Sequence, residues 1–226
     1  MSMNFGREQA LLRQRLTAKG SEELASARTT EFGDSVKFLG VEDAEIEAAA
    51  KELADTYPQM GRAQMTAFVR TLWGSKTHEL RTVGVEILAL RASLLEPPDL
   101  PFVEDLLNDT CIDGVSARIA TDVLGPMVCK NKKLWKDLSR FAKSTSEHLK
   151  VAALLAAKTA IMTSGTVFDR FEKLVVPLLD DESPQVQTAI GEAIAKAVGE
   201  SQDAVYAWCE EHGRPKPGPE KDDQNA

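Results

Sequence analysis

Ser146-Glu147-His148-Leu149-Lys150-Val151-Ala152-Ala153-Leu154 reads as a capped helix that turns apolar within its first turn, and Ser183-Pro184-Gln185-Val186-Gln187-Thr188-Ala189-Ile190 repeats the pattern. From Leu149 the opening recurs 34 residues back at Val115 behind Asp113, 35 further back at Leu80 behind Ser75, and another 34 back at Ile46 behind Asp43. Forward, Val186 follows Leu149 by 37. A period of this length is the signature of stacked helix pairs, because one pair buries a single face alone and needs its neighbours to complete a core. The expected fold is therefore all-α, a HEAT-like superhelical solenoid of antiparallel helix pairs, with Ile46, Leu80, Val115, Leu149 and Val186 buried at the starts of its inner helices.

Reading outward from these openings, Asn4–Ala18 and Glu22–Ala27 form two amphipathic helices separated by Gly20, with Ser21 as an N-cap and residues 29–33 as a turn. Asp43–Thr56 follows, with acidic residues in its first turn where the helix dipole favours them, and Pro58 ends it. Met60–Leu72 pairs with Lys76–Leu95, capped by Ser75. After the rigid connector Glu96-Pro97-Pro98-Asp99-Leu100-Pro101 come Phe102–Leu107 with Asp113–Val128, Asn131–Lys143 with Glu147–Met162, and Thr166–Leu179 with Pro184–Val198. Gln202–Glu211 closes the stack. Residues 1–212 are read as one repeat domain. Gly213–Ala226, rich in Pro and charge with almost nothing to bury, is read as a disordered tail.

The totals narrow the function. With 43% hydrophobic residues in 226 the chain can bury an extended core, and its longest apolar runs are too short to cross a bilayer. Arg7 and Glu8 sit where a signal peptide needs an apolar stretch, so a cytoplasmic monomer is expected. Cys111, Cys129 and Cys209 are read as buried small hydrophobes rather than a disulfide or zinc set. His78, His148 and His212 never fall at ligand spacing, and neither a metal nor another cofactor is expected. Trp73, Trp135 and Trp208 read as packing residues.

A net charge of -8 opposes nonspecific nucleic-acid binding, which rests on cations displacing counterions from phosphates. The distribution is uneven, however. The run Lys130–Lys143 carries six cations (Lys130, Lys132, Lys133, Lys136, Arg140, Lys143) against the single anion Asp137.

Several local stretches together resemble the bacterial DNA alkylation repair family of HEAT-like-repeat DNA glycosylases. These are Phe38-Leu39-Gly40-Val41, Leu72-Trp73 with His78-Glu79-Leu80-Arg81, Leu100-Pro101-Phe102-Val103-Glu104-Asp105-Leu106-Leu107, Val123-Leu124-Gly125, and Ala189-Ile190-Gly191. The resemblance runs from Phe38 to about His212. It implies a groove of inner helices that holds duplex DNA by its backbone and releases cationic alkylpurines without flipping the base. A carboxylate stabilises the developing sugar cation, two tryptophans flank the backbone, and an arginine binds phosphate.

The chain departs from that pattern at each of these positions. The motif Trp, Asp, any, Val, Asp is met by Ile112-Asp113-Gly114-Val115-Ser116, so the carboxylate slot holds Ser116; counting back from Gly125, across a helix one residue longer than the pattern, places Ala117 there instead. The arginine position falls on Val151, and the second tryptophan on Glu192. Asp113 is a fallback carboxylate one turn from Ser116, competing with a role as N-cap. The expected function is duplex-DNA binding without a glycosylase site, using Arg81, Lys130, Lys132, Lys133, Lys136, Arg140, Lys143 and Lys150 for phosphate contacts. Two alternatives stand beside it: a scaffold for basic protein segments, and an active glycosylase that cleaves the N-glycosidic bond with Asp113.

Overall fold

The computed structural model describes residues 3–110, 112–163 and 168–218, leaving out the side chains of Glu200 and Ser201. Cys111, residues 164–167 and 219–226, and the sequence readings that fall on them, lie outside the described residues. All regular structure among the described residues is helical, apart from one isolated bridge between Lys37 and Thr77. The chain divides into two compact units between Leu95 and Glu96.

The first unit contains α1 (Phe5–Thr17), α2 (Glu22–Phe32), α3 (Asp43–Thr56), α4 (Arg62–Trp73) and α5 (His78–Leu90). Asn4 and Ser21 cap α1 and α2 by accepting the backbone N–H of Arg7 and of Leu24. The turn expected at residues 29–33 is instead the end of α2. The hydroxyls of Thr29 and Thr30 donate back to the carbonyls of Ala25 and Ser26, so they do not compete with the helix, and Gly33 at φ 78° stops it. Helix α5 packs against both α3 and α4. It is buried on nearly every side, from His78 to Leu88 with only Thr82 partly open.

The start of α5 is later than the sequence suggests, and Ser75 is not its cap. Residues 75–77 are kept out of the helix, with Lys76 at φ 49°, because Lys37 N–H donates to the Lys76 carbonyl and His78 N–H donates to the Lys37 carbonyl, each at 2.8 Å. Its end comes earlier, at Leu90, because Arg91 turns away and gives its guanidinium to the carbonyls of Ala54, Tyr57, Pro58 and Met60. Those carbonyls lie at and beyond the end of α3, so one side chain satisfies acceptors the helix leaves open.

The preceding loop is fixed by a single carboxylate. Glu79, fully buried, accepts N–H bonds from Leu39 (3.0 and 2.9 Å), Gly40 (2.9 Å) and Val41 (3.4 Å), and the Arg28 guanidinium lies 3.6 Å away. Gly40 has φ 73°, and a Cβ there would sit 2.0 Å from the Ser21 carbonyl oxygen. Only glycine fits that approach.

In the second unit, α6 (Leu100–Asp109) precedes α7 (Asp113–Arg118), a π-helical segment (Ile119–Leu124) and α8 (Gly125–Lys130). A 3-10 turn (Lys132–Leu134) leads into α9 (Trp135–Ala142), then come α10 (Glu147–Thr163), α11 (Phe168–Val175) and α12 (Pro184–Glu211). The sequence divides α12 at Gly199, but the helix runs through. One glycine costs only about 1 kcal/mol in a helix interior, and buried Ala197, Val205 and Cys209 continue the packed face. Cys129, by contrast, is only half-buried. One row of helices consists of α7 through α8, α10 and α12; a second, formed by α6, α9 and α11, packs on it. Helix α10 is the shared element, buried through Leu149, Ala152, Ala153, Ala156, Ala157, Ala160 and Ile161.

Ile46, Leu80, Val115, Leu149 and Val186 are all buried and stand in the first turns of α3, α5, α7, α10 and α12. Past α12, Arg214 donates to the Leu179 carbonyl (2.7 Å) and Gln187 Oε1 (2.8 Å), and Tyr206 donates to the Pro217 carbonyl.

Two outcomes follow for stability. Glu79→Gln keeps one acceptor oxygen and turns an NH2 toward the loop N–H groups; the expected loss is about 1.5–3 kcal/mol, read as a lower urea midpoint. An unchanged midpoint would remove Glu79 from this role. Burial lowers the pKa of His78, opposed by the Glu79 carboxylate and assisted by Arg28. A histidine held neutral in the fold contributes stability above the unfolded value of about 6.5 and loses it as pH falls through that value toward the folded one. Between pH 7 and 5 the wild type should therefore lose more stability than His78→Gln, and parallel curves would count against it.

Candidate nucleic-acid interface

The repeat places the chemistry-bearing side chains at the helix starts and along the row formed by α7 through α8, α10 and α12. A groove of about 610 Å³ opens in that row, lined by Thr121, Asp122, Lys158, Thr159, Met162, Glu192, Ala195 and Lys196. The π segment supplies Thr121 and Asp122 and is braced by close packing at its end. A Cβ on Gly125 would meet Thr159 Cβ at 2.7 Å, and the Thr159 hydroxyl lies 3.3 Å from the Thr121 carbonyl.

The groove balances its charges internally. Lys158 Nζ donates to Glu192 at 2.7 Å, and Arg118 Nη1 bonds Asp122 at 2.6 Å across one helical turn. Its lining holds two lysines and two carboxylates. Met162 is the one large apolar side chain it exposes, at 54%.

Of the positions singled out in the sequence, Glu192 lies in this groove, while Ser116 and Val151 are absent from its lining. Ser116 is buried and Val151 half-buried. Asp113 is exposed at the head of α7 and accepts the Gln185 side-chain amide at 3.0 Å. Asp122, Lys158 and Lys196 escaped the sequence reading. Their one signal is the extra residue before Leu124-Gly125, which marks the π segment that turns Asp122 outward.

The eight candidate phosphate ligands separate into two groups. Arg81 is buried, donates Nε–H to the Trp73 carbonyl at 3.0 Å and stacks 4.7 Å over the Trp73 ring. Lys150 is bound to Asp181 at 2.6 Å, and its hydrogen bond holds the Asp181 carboxyl below the ordinary range. Arg140 grips Glu104 through two bonds of 2.8 and 2.7 Å; that contact lowers the Glu104 pKa and raises the Arg140 pKa. Lys130, Lys132, Lys133, Lys136 and Lys143 are exposed. Among the described residues, Lys132, Lys133, Lys136 and Lys143 make no ion pair.

Trp73, Trp135 and Trp208 are buried, and among the described residues the indole N–H of Trp208 has no hydrogen-bond partner. Among the described residues, no group of three or more His, Cys, Asp or Glu could hold a metal ion, and no helix is long and apolar enough to cross a membrane.

No curated protein matches the chain. A solved structure, that of a predicted DNA alkylation repair enzyme from Enterococcus faecalis, superposes with a TM-score of 0.72 at 12% identity, over 92% of this chain and 98% of that one. At that identity the likeness shows the fold. The family model for DNA alkylation repair enzymes matches residues 12–219, which contain every helix from α2 to α12, and on that match the chain belongs to the DNA alkylation repair enzyme family.

Proposed function

We propose that the chain binds duplex DNA by its backbone, as a cytoplasmic monomer, and does not excise alkylated purines. The observation that carries the second half is the Lys158–Glu192 ion pair, which occupies the groove at the position where the resemblance calls for a tryptophan. A glutamate there repels phosphates, and its lysine is already committed to it.

The carboxylate slot supports the same reading. A π segment takes one residue more than the α-helical turn it replaces, and Ile119–Leu124 lies beyond both Ser116 and Ala117. A surplus residue housed after the slot supports the forward count from Asp113, which reads the slot as Ser116. A buried hydroxyl cannot balance a sugar cation as a carboxylate does. Removing one preorganised electrostatic group typically costs about 10²–10³ in rate. Here the slots for carboxylate, arginine and tryptophan are filled by Ser116, Val151 and Glu192 together. The fallback Asp113 is bonded to Gln185 and lies outside the groove lining.

A second reading, a scaffold for basic protein segments, draws on the net charge of -8. It predicts binding of a basic peptide with no preference for duplex DNA.

Purified protein should release no 3-methyladenine or 7-methylguanine from alkylated DNA above background, scored by chromatography of the freed bases. Release that disappears in Asp113→Asn would make Asp113 the catalytic carboxylate and overturn the proposal. Binding of an undamaged duplex should weaken linearly in log affinity against log salt, by about 0.9 for each phosphate contact. A flat salt profile would favour the scaffold.

A further inference from the structure

We infer that the exposed lysines of the 3-10 turn and α9 form a backbone-reading surface on the second row of helices, separate from the groove between the π segment, α10 and α12. The inference rests on the proposed duplex binding and says where the phosphates sit.

Lys133, Lys136, Arg140 and Lys143 follow at intervals of three, four and three residues, which places them on one helical face. The opposite face, Trp135, Leu138, Phe141 and Ala142, is buried against the core. The stripe spans about 15 Å at the helical rise, enough to face a few successive phosphates of one strand. Arg140 is immobilised by Glu104 and by its 4.7 Å approach to the Phe141 ring, so it braces the stripe while the lysines beside it stay open. None of these residues lines the groove.

The charges elsewhere in the unit point the same way. Lys158 is neutralised by Glu192, Lys150 by Asp181 and Arg118 by Asp122, so the row that carries the groove offers a polyanion little net attraction. The 3-10 turn and α9 hold unpaired positive charge. The chemistry of the surface also selects its partner. Trp135 and Phe141 are buried, so no aromatic face is available to stack an unpaired base, and a single-stranded ligand would forgo its main source of binding energy. None of the exposed large hydrophobic residues, Leu11, Leu90, Leu94, Met162 and Val176, belongs to the stripe, so nothing there inserts into a lipid surface. A row of mobile ammonium groups fits a regular ladder of phosphates, read without regard to base sequence.

The test compares two triple variants of the full chain on a labelled, undamaged 20-base-pair duplex, by fluorescence anisotropy from 50 to 200 mM KCl. One carries Lys133→Gln, Lys136→Gln and Lys143→Gln. The other changes net charge equally through the exposed Lys37, Lys51 and Lys76. The stripe variant should lose more than tenfold in affinity at the lowest salt and flatten the log-log slope by about two to three units. The control should stay near wild type. A stripe variant with the wild-type slope overturns the inference and leaves duplex binding standing. An equal loss in both variants overturns it too, because attraction would then be diffuse. Absence of salt-dependent binding by the wild type overturns duplex binding and the surface together.

Discussion

The first unit depends on one buried carboxylate. Residues 34–42 form no helix, yet Gly40 and Val41 are buried, and buried N–H groups without acceptors cost about as much as lost hydrogen bonds. Glu79 collects three of them on two oxygens, with Arg28 as its countercharge. Arg28 in turn donates to the Val41 carbonyl and to Asp43, tying α2, which buries no residue of its own, to the start of α3. Two stretches noticed separately in the sequence, Phe38–Val41 and His78–Arg81, are thus two sides of one contact, with the Phe38 and His78 rings 5.2 Å apart. A glutamate removed from water is tolerable only with hydrogen bonds and a charge partner together.

The second unit depends on small side chains instead. A helix buried on most sides must let its neighbours come close, and the alanines of α10 do so toward α8, α9 and α12. At the tightest point Gly125 meets Thr159, just where the π segment ends. Removing the extra residue would restore α-helical geometry and rotate Asp122 relative to the groove, so the insertion and the groove chemistry are linked through one backbone irregularity.

Charge in this protein is decided by pairing more than by count. Of the eight cations the sequence nominates, those on the helix starts are consumed: Arg81 by Trp73, Lys150 by Asp181. Buried or half-buried cations need partners, and the fold supplies them. The exposed Lys132, Lys133, Lys136 and Lys143 need none, because water solvates them, and so they remain available to a phosphate.

The sequence by itself determined the helical class, the repeat and the buried openings, because these follow from the spacing of apolar residues, and spacing is written directly in the chain. The caps at Ser21 and Ser183 were local in the same sense. Where α5 begins and ends was not local: Lys37 and Arg91 set it through bonds to segments about 30 to 40 residues away. The groove was legible only as one surplus residue before Leu124. Tertiary structure decided that it became a π turn, that Asp122 faces outward, and which of eight nominated cations stayed free. Ion pairs form between residues distant in sequence and near in space, and no one-dimensional pattern records that distance.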